Sequence, residues 1–382
     1  MIVVIARQEL LSLIGKIQTT VPSKPAIPIL GNILLETQHD QLVLSATDLT
    51  VSARFSSAAT VIEEGKIALP ARKFFQLVRE LRSPQIKITA EEGKPAEIIA
   101  GSSIFKINGM HHSEFPQFPE LTASQSISLT SVHLKELLHR SAFCAAREDS
   151  RYVLNGICVD LSPEGITFTG TDGKRLARIS QEVEPNPDLE GSYVLPLKSV
   201  EEMLRILDNV EEPVRLSFME DKASFAVGPG ILITKLLSGQ YPDVQKVIPK
   251  DPAYSVQLHR EELLSLLKQI SLFTSENSHS VRFIFEHGEL TLKATASELG
   301  EGLVSMPADC PQSRLEIAFN PFYFIDILRR SQDECITFSI NDSFNPGLIT
   351  DSTTSQFVIM PMRLEEQPEA PERHVSEKAA LT

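Results

Sequence analysis

The chain is short of the features that mark secreted, membrane-spanning or metal-bound proteins. Its four cysteines, Cys144, Cys158, Cys310 and Cys335, lie far apart and form no Cys-x-x-Cys pair. That spacing disfavours a disulfide framework or a zinc ribbon, and a reducing cytoplasm is expected. No stretch approaches the ~20 apolar residues needed to span a bilayer, so no membrane partner is expected. The opening MIVVIARQELLSLIG has no basic segment before its apolar run and no small-residue cleavage pattern, which speaks against a secretory leader. Positive charge is also in deficit. Thirty-six Lys and Arg face 50 Asp and Glu, for a net charge of −14 and a pI near 5.2. Taken alone, that balance argues against a nucleic-acid binder. What remains is a soluble globular composition, 42% hydrophobic and 23% charged, with a mean hydropathy of −0.03. At 382 residues the chain is two to three times the usual domain size, so several cores are expected.

Catalytic signatures are missing as well. There is no GxxxxGK[ST] phosphate loop, no GxGxxG after a strand, no HExxH and no GxSxG. His111 and His112 are adjacent, and on a strand they would point to opposite faces, so no shared metal is expected. Asp48 and Asp172, in ATDLT and GTDGKRL, recur 124 residues apart. A repeated Asp near a strand end caps a turn more readily than it catalyses. Neither an enzyme nor a cofactor is expected.

The chain does contain a repeat of about 125 residues, and such repeats decide the fold. LPARKFFQLVRELR from Leu69, LPLKSVEEMLRILD from Leu195 and FNPFYFIDILRRSQ from Phe319 form one trio. ARQELLSLIGKIQ from Ala6, SVHLKELLHRSAF from Ser131 and HREELLSLLKQIS from His259 form a second, at nearly the same offset. Apolar residues spaced three and four apart, as in Leu10, Leu11, Ile14 and Ile17, predict amphipathic helices. Between them lie hairpin signatures: ILLETQHDQLVLSATD from Ile33, GICVDLSPEGITFTGTD from Gly156 and RFIFEHGELTLKATA from Arg282. Each unit therefore reads as two βαβββ halves of an α+β fold. Three units cover 1–122, 123–250 and 251–364. After Leu364 the sequence EEQPEAPERHVSEKAALT is charged and aperiodic, which predicts a disordered tail over 365–382.

Charge is unevenly placed. The six predicted helices (7–18, 72–82, 131–147, 198–208, 260–270 and 320–330) sum to +6, leaving −20 elsewhere. A polyanion feels the local field, so mildly basic equivalent helices on an acidic chain suit loose, sequence-independent contact with phosphates. The late tract from Val358 to Leu364 sets two methionines around a proline, and methionine surfaces adapt to varied partners.

Several segments, taken in order, resemble one family. They are PILGNILLE from Pro28, LPARKFFQLVREL from Leu69, EFPQFPEL from Glu114, RYVLNG from Arg151, TDGKRLA from Thr171, YPDVQKVIP from Tyr241 and VIMPMRL from Val358. The chain is similar along residues 1–364 to the bacterial DNA polymerase III β subunit family, the replicative sliding clamps. The resemblance implies a non-catalytic processivity factor: a head-to-tail homodimeric ring of three-domain chains, with helices inside, sheets outside and double-stranded DNA in the hole. It implies that Leu272 and Phe273 pack against the edge strand carrying Phe105 and Ile107 of a second chain. It further implies a cleft between the second and third domains. That cleft takes a short motif from the DNA polymerase III α subunit, the clamp-loader δ subunit and other replication and repair proteins. The matching positions are Leu154, Thr171, Gly173, Lys174, Arg175, Leu176 and Pro242, then Val247, Asn320, Tyr323 and Pro346, and finally Val358, Met360, Pro361, Met362 and Leu364. The DNA contacts carried over are Lys24, Arg72, Lys73, Arg79 and Arg82, with Arg147, Arg151, Tyr152, Lys198 and Lys246. Lys174 and Val153 stand where the family pattern has histidine and a second aromatic, and Pro346 stands where it has a small polar residue. The family pattern ends at the position of Leu364, so residues 365–382 are additional and lie where they can brush the cleft.

Overall fold

The computed structural model describes residues 1–363 apart from 121, 123–124, 208–210, 277 and 311–313; Leu364 and the expected tail at 365–382 lie outside the described residues. The elements repeat one βαβββ order six times, with one short extra strand. The first module holds β1 (Ile2–Ala6), α1 (Arg7–Ile17), β2 (Asn32–Gln38), β3 (Gln41–Thr47), β4 (Val51–Ala58) and the extra β5 (Thr60–Glu63). It continues with β6 (Lys66–Pro70), α2 (Ala71–Glu80), β7 (Gln85–Thr89), β8 (Ala96–Ala100) and β9 (Ser103–Ile107). The second begins with β10 (Gln125–Thr130), α3 (Ser131–Ala142), β11 (Gly156–Ser162), β12 (Gly165–Thr171) and β13 (Arg175–Glu182). It ends with β14 (Gly191–Pro196), α4 (Leu197–Leu207), β15 (Pro213–Phe218), β16 (Lys222–Val227) and β17 (Gly230–Lys235). The third holds β18 (Tyr254–His259), α5 (Arg260–Ile270), β19 (Val281–Glu286), β20 (Glu289–Ala296) and β21 (Gly300–Pro307). Its second half is β22 (Leu315–Phe319), α6 (Pro321–Leu328), β23 (Cys335–Ile340), β24 (Gly347–Thr350) and β25 (Ser355–Ile359).

Residue spacing explains these elements. In α2, Ala71, Phe74 and Val78 fall on one stripe and are buried, while Arg72, Lys73, Gln76 and Arg79 face outward. In β19, Val281, Phe283 and Phe285 alternate inward. The three predicted hairpins form as β2–β3, β11–β12 and β19–β20. The two repeated aspartates build one turn twice. Asp48 Oδ1 accepts from the Thr50 and Val51 N–H groups at 2.9 and 2.7 Å. Asp172 Oδ1 accepts from Lys174 and Arg175 N–H, both at 2.9 Å. In each turn the residue after the aspartate is left-handed, Leu49 at φ 74° and Gly173 at φ 83°. Glycine adopts that conformation freely, whereas leucine is strained there.

By packing the described chain falls into two compact units, Met1–Gln245 with Ser352–Phe357, and Lys246–Asp351 with 358–363. In the first, a five-stranded sheet runs β5-β1-β7-β8-β9, and an eight-stranded one runs β10-β15-β16-β17-β4-β3-β2-β6. The second sheet crosses from one module to the next where β17 pairs antiparallel with β4. Gly230 is needed there, because a Cβ would lie 1.9 Å from the Phe55 ring. A third set pairs as β14-β11-β12-β13. The first unit's helices are also joined. Thr19, past the end of α1, donates its hydroxyl to Glu202 of α4, and Lys198 of α4 donates to Asp48. The second unit has the sheet β21-β20-β19-β22 and the strands β24-β23-β18. Its core is aromatic: Phe283, Phe319, Phe324 and Phe338 pack with ring centroids 4.8–5.8 Å apart.

Two expectations need correcting. The helix predicted over 131–147 stops at Ala142. The backbone then turns so that the Ala146 N–H reaches the Leu154 carbonyl at 2.9 Å, which places Arg147 in a loop. His111 and His112 are not on a strand. His111 caps a short 3-10 turn, His112–Glu114, and the two rings stand 4.4 Å apart.

Candidate functional site

The basic residues divide into those used inside the fold and those left outside. Arg140, counted above among the helix cations, is 2% exposed. Its Nη1 donates to Glu136 at 3.3 Å and to Thr353 Oγ1 at 2.9 Å, and the guanidinium lies 5.5 Å from the Phe357 ring centre. Arg7 is also committed, because its guanidinium donates to the Val78 and Arg79 carbonyls at the end of α2. Arg260 repeats the device, donating to the Leu328 and Asp333 carbonyls at 3.2 and 2.8 Å around the end of α6. A guanidinium at a helix C-terminus satisfies orphan carbonyls and opposes the dipole. These three side chains are therefore held within the fold rather than free to reach a phosphate, a distinction that no local pattern revealed.

The ten candidate DNA contacts, Lys24, Arg72, Lys73, Arg79, Arg82, Arg147, Arg151, Tyr152, Lys198 and Lys246, are all exposed. Arg72, Lys73 and Arg79 lie on the outer face of α2, with Arg82 just past its end. Arg147, Arg151 and Tyr152 lie on the connection after α3, and Lys198 is in the first turn of α4. The Arg151 guanidinium beside Asp149 holds that carboxyl down at about 2.

The candidate partner positions fall on both units. On the first, Leu154 and Leu176 are buried, and Thr171 closes the Asp172 turn by donating to the Arg175 carbonyl at 2.6 Å. Arg175 Nε donates to Asp172 Oδ2 at 3.1 Å, while Gly173, Lys174 and Pro242 are exposed. Tyr241, next to Pro242, donates its hydroxyl to the Thr169 carbonyl at 3.3 Å, and burial pushes its pKa up. On the second unit, Asn320 caps α6 by accepting from the Phe322 N–H at 3.0 Å. Tyr323, Pro346, Pro361 and Met362 are half-buried, Val247 and Met360 are exposed, and Val358 is buried in β25. The Met362 N–H donates to the Ala318 carbonyl at 2.7 Å, pinning the tract beside β22. Phe344, on the turn whose N–H groups Asp342 accepts, is 86% exposed and was marked by no sequence pattern.

Among the described residues, β9 and β21 each end a sheet with one edge unpaired. Around β9, Ile104 and Phe105 are exposed and Ile107 is half-exposed. Near β21, Leu272 is 72% and Phe273 36% exposed, with the Phe273 ring over Gly302. Among the described residues no group of three or more His, Cys, Asp and Glu is placed to hold a metal ion. No helix among them is long and apolar enough to cross a membrane.

Models of the N-terminal, central and C-terminal domains of the DNA polymerase III beta subunit match residues 1–119, 128–243 and 245–363. The chain is 47% identical over 363 residues to the Beta sliding clamp of Chlamydia muridarum (strain MoPn / Nigg), covering 94% of this chain and 98% of that one. It is 28% identical over 363 residues to the Beta sliding clamp of Escherichia coli (strain K12), at 94% and 99% coverage. Among solved structures, the DNA polymerase III subunit beta from Pseudomonas aeruginosa superposes with a TM-score of 0.92 at 28% identity, over 95% of this chain and all of that one.

Proposed function

The chain belongs to the DNA polymerase III beta subunit family, and on that premise we propose how it works as a DNA sliding clamp. It is a three-domain processivity factor rather than an enzyme. We place the domain boundaries at 1–122, 123–250 and 251–364. Two chains close head to tail, the β9 edge of one continuing the sheet that ends in β21 of the other. Leu272 and Phe273 then cover Phe105 and Ile107. Unpaired edges with exposed apolar side chains support this, because such edges invite pairing with another chain. Duplex DNA passes through the ring and meets the exposed cations through phosphates alone. No sequence register is preferred, so the ring slides.

Short peptides from the DNA polymerase III α subunit, the clamp-loader δ subunit and other clamp-motif proteins bind the candidate positions on the two units. Leu154, Leu176, Val247, Met360 and Met362 receive their apolar anchors. A polymerase so held stays at the primer end because tethering raises its effective concentration. The protein works in the cytoplasm, where its DNA is.

The observation that carries this reading is the sixfold βαβββ recurrence on an acidic chain that still leaves ten basic or aromatic candidates exposed along its helices and connections. The test is to load the protein onto a nicked plasmid with a compatible loader, isolate the complex at raised salt, and linearise the plasmid. Retention on circles and loss from linear DNA is expected. Retention that ignores linearisation would mean ordinary binding and would sink the topological mechanism.

A further inference from the structure

The exposed cations differ in what already holds them. Among the described residues, Lys24, Arg72, Lys73 and Arg82 of the first domain have no carboxylate within ion-pair distance. In the central domain at least three of the candidate cations are held by carboxylates. Arg147 Nη2 donates to Glu201 at 3.1 Å. Arg151 donates through Nε and Nη2 to the two oxygens of Asp149, at 3.0 and 2.8 Å. Lys198 donates to Asp48, on the β3–β4 turn of the first domain. The segment after α1 is tied to α4, which carries Lys198 and Glu201, by the Thr19–Glu202 hydrogen bond.

We propose that Glu201, Asp149 and Asp48 compete with DNA phosphate for the central domain's cations, so that the duplex is gripped mainly by Lys24, Arg72, Lys73 and Arg82. This rests on the DNA-facing reading given above. A free arginine that meets a phosphate gains a whole charge-assisted contact. An arginine already held by a carboxylate only exchanges one contact for another. The displaced carboxylate stays beside the duplex, where like charge repels it. Exposed ion pairs are weak, so the exchange is not blocked; it is merely close to neutral. Each chain therefore has one domain that holds the duplex and one whose cations are already held by carboxylates, Asp48 of the first domain among them, and these carboxylates become the residues that keep the ring mobile.

Salt dependence separates these roles, because each phosphate neutralised contributes about 0.9 to the slope of log affinity against log salt. Binding of a fluorescent linear duplex is followed by anisotropy from low to moderate salt. The full chain is compared with Glu201→Gln, Arg147→Ala and the triple variant Arg72→Ala, Lys73→Ala, Arg82→Ala. Glu201→Gln frees Arg147 in both chains of the ring, and its slope is expected to steepen by up to about 1.8, or up to about twelvefold in affinity per fourfold change in salt. Arg147→Ala is expected to flatten the slope by much less than one third of the triple variant's loss, which reaches up to about 5.4 over the two chains. Arg147 and Glu201 are surface residues, so equal melting temperatures are expected and verify folding. An Arg147→Ala loss equal to one third of the triple variant's, or no steepening in Glu201→Gln, overturns the competition while leaving the DNA-facing reading in place. A triple variant with an unchanged slope overturns the DNA-facing reading itself, and the competition with it.

Discussion

Replacing Leu272 and Phe273 together with alanine is expected to convert the proposed two-chain ring to monomers. The magnitude follows from how much of each side chain the single chain leaves bare. Leu272 is 72% exposed and Phe273 36%. Burying a leucine or phenylalanine fully is worth about 1.5–3 kcal/mol, which scales to about 1.5 kcal/mol for Leu272 and about 1 kcal/mol for Phe273. A ring has two copies of the interface, so the double variant loses about 5 kcal/mol, or between three and four decades of dimer affinity. The assay is multi-angle light scattering over a dilution series, which reads mass directly. Ile62→Ala is the control. That residue is 62% exposed on β5, at the opposite edge of the sheet that ends in β9, and its loss is expected to leave the dimer intact. A double variant whose dissociation midpoint stays within threefold of the parent refutes the reasoning, and so does a control that falls apart equally.

Three further outcomes follow from other parts of the molecule. Arg140→Met keeps the buried stem but removes the charge that holds Glu136 and Thr353, and is expected to cost about 2–3 kcal/mol as a lower urea midpoint. Leu49→Gly relieves a left-handed leucine worth about 1–2 kcal/mol against about 0.5–1 kcal/mol of extra chain entropy, so a net gain of up to about 1.5 kcal/mol is expected in the same assay. The Asp149 carboxyl titrates at about 2 when folded against an ordinary 3.8, a depressed value. Its contribution is therefore complete above about pH 4 and lost as pH falls through about 2. The stability difference between the parent and Asp149→Asn should be flat above pH 4 and shrink below it; a difference growing toward low pH would contradict the assignment.

Periodicity made most of the architecture legible. Two helix trios at one offset were enough to define three modules, and the hairpins followed from apolar runs around polar turns. The turn role of Asp48 and Asp172 was readable because a short acceptor after a strand has few other uses. The end of α3 was not, because Ser141 to Arg147 contains nothing that breaks a helix. It ends where it does because the Ala146 N–H is taken by Leu154, a partner set by the tertiary fold. Arg140 was misjudged for a similar reason: besides Glu136 on its own helix it donates to Thr353, 213 positions away. Leu49 shows a third limit. Its turn was predictable from Gly173, but the positive φ at a leucine was not, since leucine avoids that conformation when free. Of the candidate site, the exposed cations were readable singly, whereas their pairing with Glu201, Asp149 and Asp48 depends on which elements meet.

The shared sheet between the first two modules sets how the chain breaks as well as how it holds. Because β17 pairs with β4, cutting the connection near residue 122 would not release two separable pieces; each fragment would keep a bare central strand. The first 245 residues should therefore melt as one block, and a fragment ending near 122 should express poorly and self-associate through Val51–Ala58. Fragment work on this protein is best begun by keeping those two modules on one polypeptide.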